Sequence, residues 1–372
     1  MTVFEWGVMA RSLRVAPEYI NKVKSALQRN GYPSLKKFSE DIEPSLSTVK
    51  NFFGGKPIDY ENFLVICEKL GLDWQDIADK QPENQPSQPQ PTNGEASPFI
   101  TGAPITQPRY FFGREKELKR LFNLLKRHPL QNAAIIGKKR SGKTSLLHYL
   151  KNITTTPPEQ LRADQKSDWL LHPKSYNWVF VDLQDARMQS REGLLKYILE
   201  SLNIKVPTPC DLDYFMNVVS ENLSSPTVIL LDEIGVGLQR CPELDDTFWD
   251  SLRSLVTNHT RGNLAFILSS PESPMDLAHH TGHSSPFFNI FGYTAFLGAL
   301  TEAEARELIG SSPIPFPDKD IEWILTQSEY QPLLLQILCR ERLFTLEEGE
   351  NDDSWREEGL QQIKSFTHLL DS

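Results

Sequence analysis

The run Ala133-Ala134-Ile135-Ile136-Gly137-Lys138-Lys139-Arg140-Ser141-Gly142-Lys143-Thr144-Ser145-Leu146-Leu147 decides the fold. Four apolar residues predict a short buried strand, and Leu146-Leu147 open an amphipathic helix. Between them lies the pattern G-x-x-x-x-G-K-T. Gly137 and Gly142 let the backbone close around a phosphate, so that the N–H groups of Lys138, Lys139, Arg140, Ser141 and Ser145 face its oxygens. The positive end of the helix that begins near Lys143 adds to the same attraction. Lys143 is placed to reach the β- and γ-phosphates, and the Thr144 hydroxyl to ligate Mg²⁺. The expected ligands are therefore ATP and Mg²⁺.

Further along, Pro226-Thr227-Val228-Ile229-Leu230-Leu231-Asp232-Glu233 is a second anchor. A continuous apolar run of this length predicts a parallel strand with both faces covered by helices. Two acids at its carboxyl end fall where open α/β sheets bind ligands. Asp232 is expected to hold the Mg²⁺ and Glu233 to polarise an attacking water. Left without a cation, two carboxylates at a buried strand end would be costly.

The 372 residues suffice for two or three domains, and 39% hydrophobic with 24% charged residues is an ordinary globular composition. A formal charge of −10 excludes a broadly basic, nucleic-acid-coating surface. Cys67, Cys210, Cys241 and Cys339 show neither metal-ligand spacing nor a disulfide framework, which suits a reducing compartment. No signal-peptide pattern begins the chain, and no apolar run reaches the ~18 residues of a membrane span. The expected location is the cytoplasm.

Residues 12–80 carry five short stretches of helical periodicity, two of them joined by a tight turn, which predicts a helix-turn-helix module. The run from Phe38 to Lys56, with Ser45-Leu46-Ser47-Thr48-Val49 at its centre and Gly54-Gly55-Lys56 at its end, resembles the Cro/CI-type repressor domain. That resemblance implies that Ser45 caps a recognition helix and that Ser47, Thr48, Lys50 and Asn51 lie nearest the major groove of double-stranded DNA. Glu43 stands where that family has a turn glycine, and Leu46 where it usually presents a polar reader. Acids and bases are about equal in number here, whereas DNA affinity rests on phosphate neutralisation. DNA binding and docking of a protein partner both remain open.

Residues 81–109 are rich in proline, glutamine, asparagine and serine and predict an extended, mobile linker. Beyond it, Tyr110-Phe111-Phe112-Gly113-Arg114-Glu115 resembles the h-h-G-R-E box of STAND and origin-recognition-like AAA+ ATPases. The resemblance implies that Phe112, Gly113 and Arg114 line a base pocket. The stretch 262–270 predicts a buried strand ending in hydroxyls. In AAA+ ATPases the strand between those of the two Walker motifs ends in a polar sensor near the γ-phosphate, and Ser269 or Ser270 matches that place. Arg253 and Arg261 fall where some of these ATPases carry a trans-acting arginine. After a final strand from Tyr293, the chain is helical to its end and resembles the AAA+ and STAND lid. In its Tyr330-Gln331-Pro332 box, Pro332 corresponds to the proline that touches adenine. Arg340 and Arg342 are the candidates for a lid arginine. His279 and His283 lie in a stretch that Gly282 and Ser284 predict to be a loop.

The expected architecture is an α/β P-loop NTPase with a parallel sheet of AAA+ type, residues 110–300, and a helical lid, 301–372. An all-α helix-turn-helix domain precedes them at 12–80. The expected activity is slow ATP hydrolysis that switches oligomerisation and the N-terminal domain's binding to DNA or protein. Two other readings compete: a DNA-remodelling or transposition-type AAA+ ATPase, and a nucleotide-binding scaffold that hydrolyses little.

Overall fold

The structure is a computed structural model that describes residues 12–16, 19–42, 44–78, 97–163, 165–350 and 352–370. Glu43 and residues 81–96 of the expected linker lie outside the described residues. The chain divides into two compact units, Met1–Pro91 and Thr92–Ser372.

The first unit holds β1 (Ser12–Leu13), α1 (Ile20–Arg29), α2 (Leu35–Glu40), α3 (Leu46–Phe53), β2 (Ile58–Asp59), α4 (Tyr60–Leu70) and α5 (Trp74–Ile77). Ser34 and Ser45 cap α2 and α3, their hydroxyls accepting from Lys37 N and Thr48 N at 3.2 Å each. Such caps satisfy backbone donors that the first helical turn leaves open. Val23, Phe38, Val49, Phe52, Phe63 and Ile66 are fully buried between the helices. A two-residue antiparallel pair, with Leu13 opposite Ile58, adds to the helices.

The second unit opens with a packed segment. Residues 97–109, expected to be mobile linker, are ordered by specific bonds. Phe99 is 4% exposed, Ile100 N donates to Gln336 Oε1 at 2.6 Å, and Ile105 N to Ser145 Oγ at 3.0 Å. Buried apolar surface and satisfied amides offset the ordering entropy that the proline-rich composition suggested would win.

There follow α6 (Glu115–Leu125), β3 (Ala133–Ile136), α7 (Lys143–Asn152), β4 (Asn177–Asp182), α8 (Arg191–Ser201), α9 (Leu212–Asn222), β5 (Thr227–Asp232), α10 (Ile234–Arg240), α11 (Asp246–Ser254), β6 (Leu264–Ser270), α12 (Pro274–His280) and β7 (Tyr293–Phe296). The five strands form one parallel sheet in the order β4-β5-β6-β3-β7. Alternate residues serve opposite faces. Val179, Ile229, Leu231, Phe266 and Leu268 pack with α8–α12, while Ile135, Val228, Leu230 and Ile267 pack with α6 and α7. Every residue of β5 and β6 is buried, which is why both are continuous apolar runs.

The sheet gives way to a helical layer: α13 (Glu302–Gly310), α14 (Asp318–Ser328), α15 (Pro332–Glu347) and α16 (Ser354–Ile363). Thr301 and Glu304 form a full capping box at the start of α13. Phe99 and Phe112 enter the core of this layer beside Leu308, Leu333 and Trp355.

Candidate functional site

The carboxyl ends of β3 and β5 are adjacent in space across β6, and loops from both enter one cavity of about 400 Å³. Lys139 to Ser145 form one wall and Glu233 with Gln184 another. Pro332, Leu333 and Gln336 of α15 and Leu308 of α13 cover it, and Phe111, Phe112 and Arg114 close the far end. The cavity thus lies between sheet and lid. Gly113 faces Glu304 of α13 and is not among the lining residues.

The phosphate loop has the backbone its sequence demands. Gly142 adopts φ +94°, and a Cβ on Gly137 would stand 2.5 Å from Ser141 Oγ and 2.6 Å from Leu297 O. Lys143 is 6% exposed, and its Nζ donates to Gly137 O at 2.9 Å and Lys138 O at 3.1 Å. Burial pulls its pKa down, against the opposing pull of Glu233 and Asp232. Ser141 Oγ is buried with no hydrogen-bond partner. An ammonium that satisfies itself on its own loop and an orphaned hydroxyl beside it suit an anion such as a phosphate chain.

The acidic side is equally specific. Thr144 Oγ1 donates to Asp232 Oδ2 at 2.8 Å. Ser269 Oγ donates to Asp232 Oδ1 at 2.5 Å and accepts from Glu233 N at 3.0 Å. A hydroxyl and a carboxylate side by side, all oxygen donors, suit Mg²⁺. Glu233 itself follows β5 in a left-handed turn, φ 54°, which a non-glycine residue adopts only at a cost. The turn brings it into the cavity while Asp232 stays 3% exposed beneath. Burial raises the Glu233 pKa, opposed by Lys143 and reinforced by Asp232 and Asp182.

The structure brings together Lys139 through Ser145, Glu233, Phe112, Arg114 and Pro332 around one space. Gly137 and Lys138 sit beneath as carbonyl partners of Lys143. Ser269, expected near a γ-phosphate, is wholly buried and turned onto Asp232 and the Glu233 amide. Arg342 does not line the cavity: it is 3% exposed and its Nε lies 2.9 Å from Asp320 Oδ2 inside the lid. Arg340 bonds Thr101 Oγ1 and Glu341. Ser45, Ser47, Thr48, Lys50 and Asn51 lie on α3 and its cap, in the other unit. His279 belongs to helix α12, not a loop, because Ser273 caps that helix and Pro274 starts it.

Sequence reasoning missed Gln184, Leu308 and Gln336, and also Ile100, Thr101, Ala103, Pro104 and Ile105 from the expected linker. Gln184 follows a predicted strand directly, a position that could have marked it. Gln336 closes the lid box that begins at Tyr330, from which only Pro332 is carried over, and the others carry no local signal.

The sequence matches no known family profile and no curated protein. The fold has solved counterparts. The Walker-type ATPase of Pyrococcus abyssi superposes with a TM-score of 0.52 at 17% identity, over 73% of this chain and 77% of that one. The ORC2 protein of Aeropyrum pernix, solved as ADPNP and ADP complexes, gives 0.52 at 13% identity, over 71% of each chain. With the strand order above, these likenesses establish a P-loop ATPase fold of AAA+ type with a helical C-terminal part.

Proposed function

We propose that this chain binds ATP with Mg²⁺ between sheet and lid, hydrolyses it slowly, and uses the nucleotide state to switch assembly and the binding of its N-terminal unit. One observation carries the reading: Lys143, Thr144 and Glu233 line a single cavity that the lid helix α15 covers, and Asp232 lies beneath it, bonded to Thr144. Bound ATP·Mg²⁺ would supply the transferable phosphoryl group and the cation that draws charge from it. Lys143 would leave the carbonyls of Gly137 and Lys138 for phosphate oxygens, which the loop amides and Ser141 Oγ also bind. Thr144 and Asp232 would hold the cation. The Glu233 carboxylate would accept the proton of the attacking water. Ser269, holding both Asp232 and the Glu233 amide, would set the spacing of the pair.

Because Pro332, Leu333 and Gln336 face the same cavity, loss of the γ-phosphate would alter lid contacts and hence partner contacts. This is the switching behaviour of the STAND-like and origin-recognition-like resemblance. The Cro/CI-like resemblance of α2 and α3 makes double-stranded DNA the first partner to test, with a protein partner second. The same reading places the protein in the cytoplasm; among the described residues no helix is long and apolar enough to cross a membrane. The test is calorimetry and light scattering. Wild type should bind ATP and Lys143→Ala should not. Glu233→Gln should form a defined oligomer with ATP·Mg²⁺ but not with ADP. Unchanged affinity in Lys143→Ala would remove the site, and a monomer in both states would remove nucleotide-gated assembly.

A DNA-remodelling ATPase is the second reading, and one feature favours it. A cleft separate from the nucleotide cavity is lined by Arg120 and Arg127 with Asn123, Gln131 and Tyr293. Salt-dependent DNA binding that is lost in an Arg120→Glu/Arg127→Glu variant, with ATP binding intact, would select this reading.

A further inference from the structure

Between α7 and β4 an irregular insertion packs over the segment that precedes α6. One of its side chains, Arg162, touches both the base end of the cavity and the lid. Arg162 Nη1 donates to Arg109 O at 2.6 Å and Phe111 O at 2.9 Å. Its Nη2 donates to Glu307 Oε1 of α13 at 3.0 Å. The guanidinium carbon lies 4.0 Å from the centroid of the Phe112 ring. Gln165 adds a second anchor from the same insertion, with Nε2 donating to Pro108 O at 2.7 Å.

Phe112 lines two spaces. One is the nucleotide cavity; the other is a neighbouring cleft of about 320 Å³ that it shares with Arg162, Arg109 and Pro98. Arg162 lines only the second, so the guanidinium backs the aromatic ring from outside the nucleotide cavity. Its two carbonyl partners flank Tyr110, and they fix the backbone leading into Phe112. A planar fork with five donors meets two carbonyls and a carboxylate while its face lies over the Phe112 ring, a combination that the compact, non-planar ammonium of lysine does not reproduce. Burial lowers the pKa of Arg162 and Glu307 opposes the shift, as expected for a guanidinium used as structure.

We propose that Arg162 is the positioning residue for the base end of a nucleoside triphosphate. It holds Phe112 as the wall against which the base packs, and Glu307 makes that wall depend on the lid. The inference rests on the nucleotide reading above and deepens it. The hydrogen bonds of Arg162 go to Arg109, Phe111 and Glu307, none of them in the loop 137–144, so its effect should be confined to ligands that carry a base.

The experiment is calorimetric titration of the full chain with ATP and with tripolyphosphate. In Arg162→Ala, ATP should bind about tenfold more weakly or worse, while tripolyphosphate stays within about twofold. Arg162→Lys should recover little. Glu307→Gln should show the same selectivity in smaller degree, raising KM for ATP and sparing kcat. Equal losses for both ligands in Arg162→Ala, or no loss for either, would overturn the proposal. If Arg162→Ala does not fold, Glu307→Gln decides, and unchanged ATP affinity there would overturn it. A wild-type chain that binds neither ligand overturns the nucleotide reading itself, an outcome distinct from lost selectivity.

Discussion

The hydroxyl of Thr144, first turn of α7, donates to the carboxylate of Asp232, last residue of β5, at 2.8 Å across 88 residues of chain. The other carboxylate oxygen is taken by Ser269. The two halves of the proposed cation site are thus already in contact and held by a third side chain. Asp232→Asn keeps the shape and removes the charge. The expected result is loss of the Mg²⁺-dependent part of ATP affinity, about tenfold, with affinity in EDTA changed by less than about twofold. Calorimetry with and without Mg²⁺ measures it. Full Mg²⁺ dependence in the variant would take Asp232 out of the site.

Glu233 should govern the acid side of the activity. It must be ionised to accept a proton, and burial holds its pKa above the ordinary 4.5. Turnover should therefore fall with decreasing pH through a midpoint above that value. The stability sign follows from the same shift. Folding disfavours the ionised form, so stability declines as pH rises from 4.5 through the folded pKa and is level above it. Glu233→Gln should melt higher than wild type at neutral pH, with the gap closing below pH 4.5. Its turnover should drop about 100-fold or more. Wild-type turnover would exclude Glu233 as the base.

Gly137 tests the loop itself. A Cβ there would meet Ser141 Oγ and the backbone oxygen of Leu297, and only the first can rotate away. Gly137→Ala should destabilise the protein by about 1–3 kcal/mol through overpacking and weaken ATP about tenfold or more. Denaturant unfolding and calorimetry check the two effects. Unaltered stability would mean that the loop relaxes around the methyl group.

The strand and helix on either side of residues 137–142 and the strand that ends in Asp232 are legible because each pattern confines residue types to a few positions. Strand order has no local signal: the AAA+ resemblance alone places β6 between β3 and β5, and the structure has it there, with register set by pairs such as Leu230 with Ile267. Composition predicts linker from Phe99 onward for a similar reason: it averages over prolines, while Ile100 finds its partner Gln336 far along the chain. Strand position marks Ser269 or Ser270, but it does not tell which way a hydroxyl turns. Arg342 resembled a lid arginine by location alone, and its acid partner Asp320 was invisible to sequence spacing.

That partner provides a test of the lid. Asp320 is fully buried, with Arg342 Nε at 2.9 Å from one oxygen and Arg356 Nη2 at 2.9 Å from the other. Trp355 lies under both guanidinium groups, 5.4 Å from Arg342 and 5.6 Å from Arg356. Removing the acid leaves Arg342, 3% exposed, without its counter-charge. Asp320→Ala should therefore cost about 3–5 kcal/mol, far more than an exposed pair is worth. A double change, Asp320→Leu with Arg342→Met, should recover most of that loss, because apolar packing replaces the buried charges. Since α15 carries both Arg342 and the cavity-lining Leu333 and Gln336, saturating ATP should restore part of the Tm lost in Asp320→Ala. Thermal melts with and without ATP read all three outcomes. A loss below about 1 kcal/mol would show that water reaches Arg342 and that the lid is not held by this charge cluster.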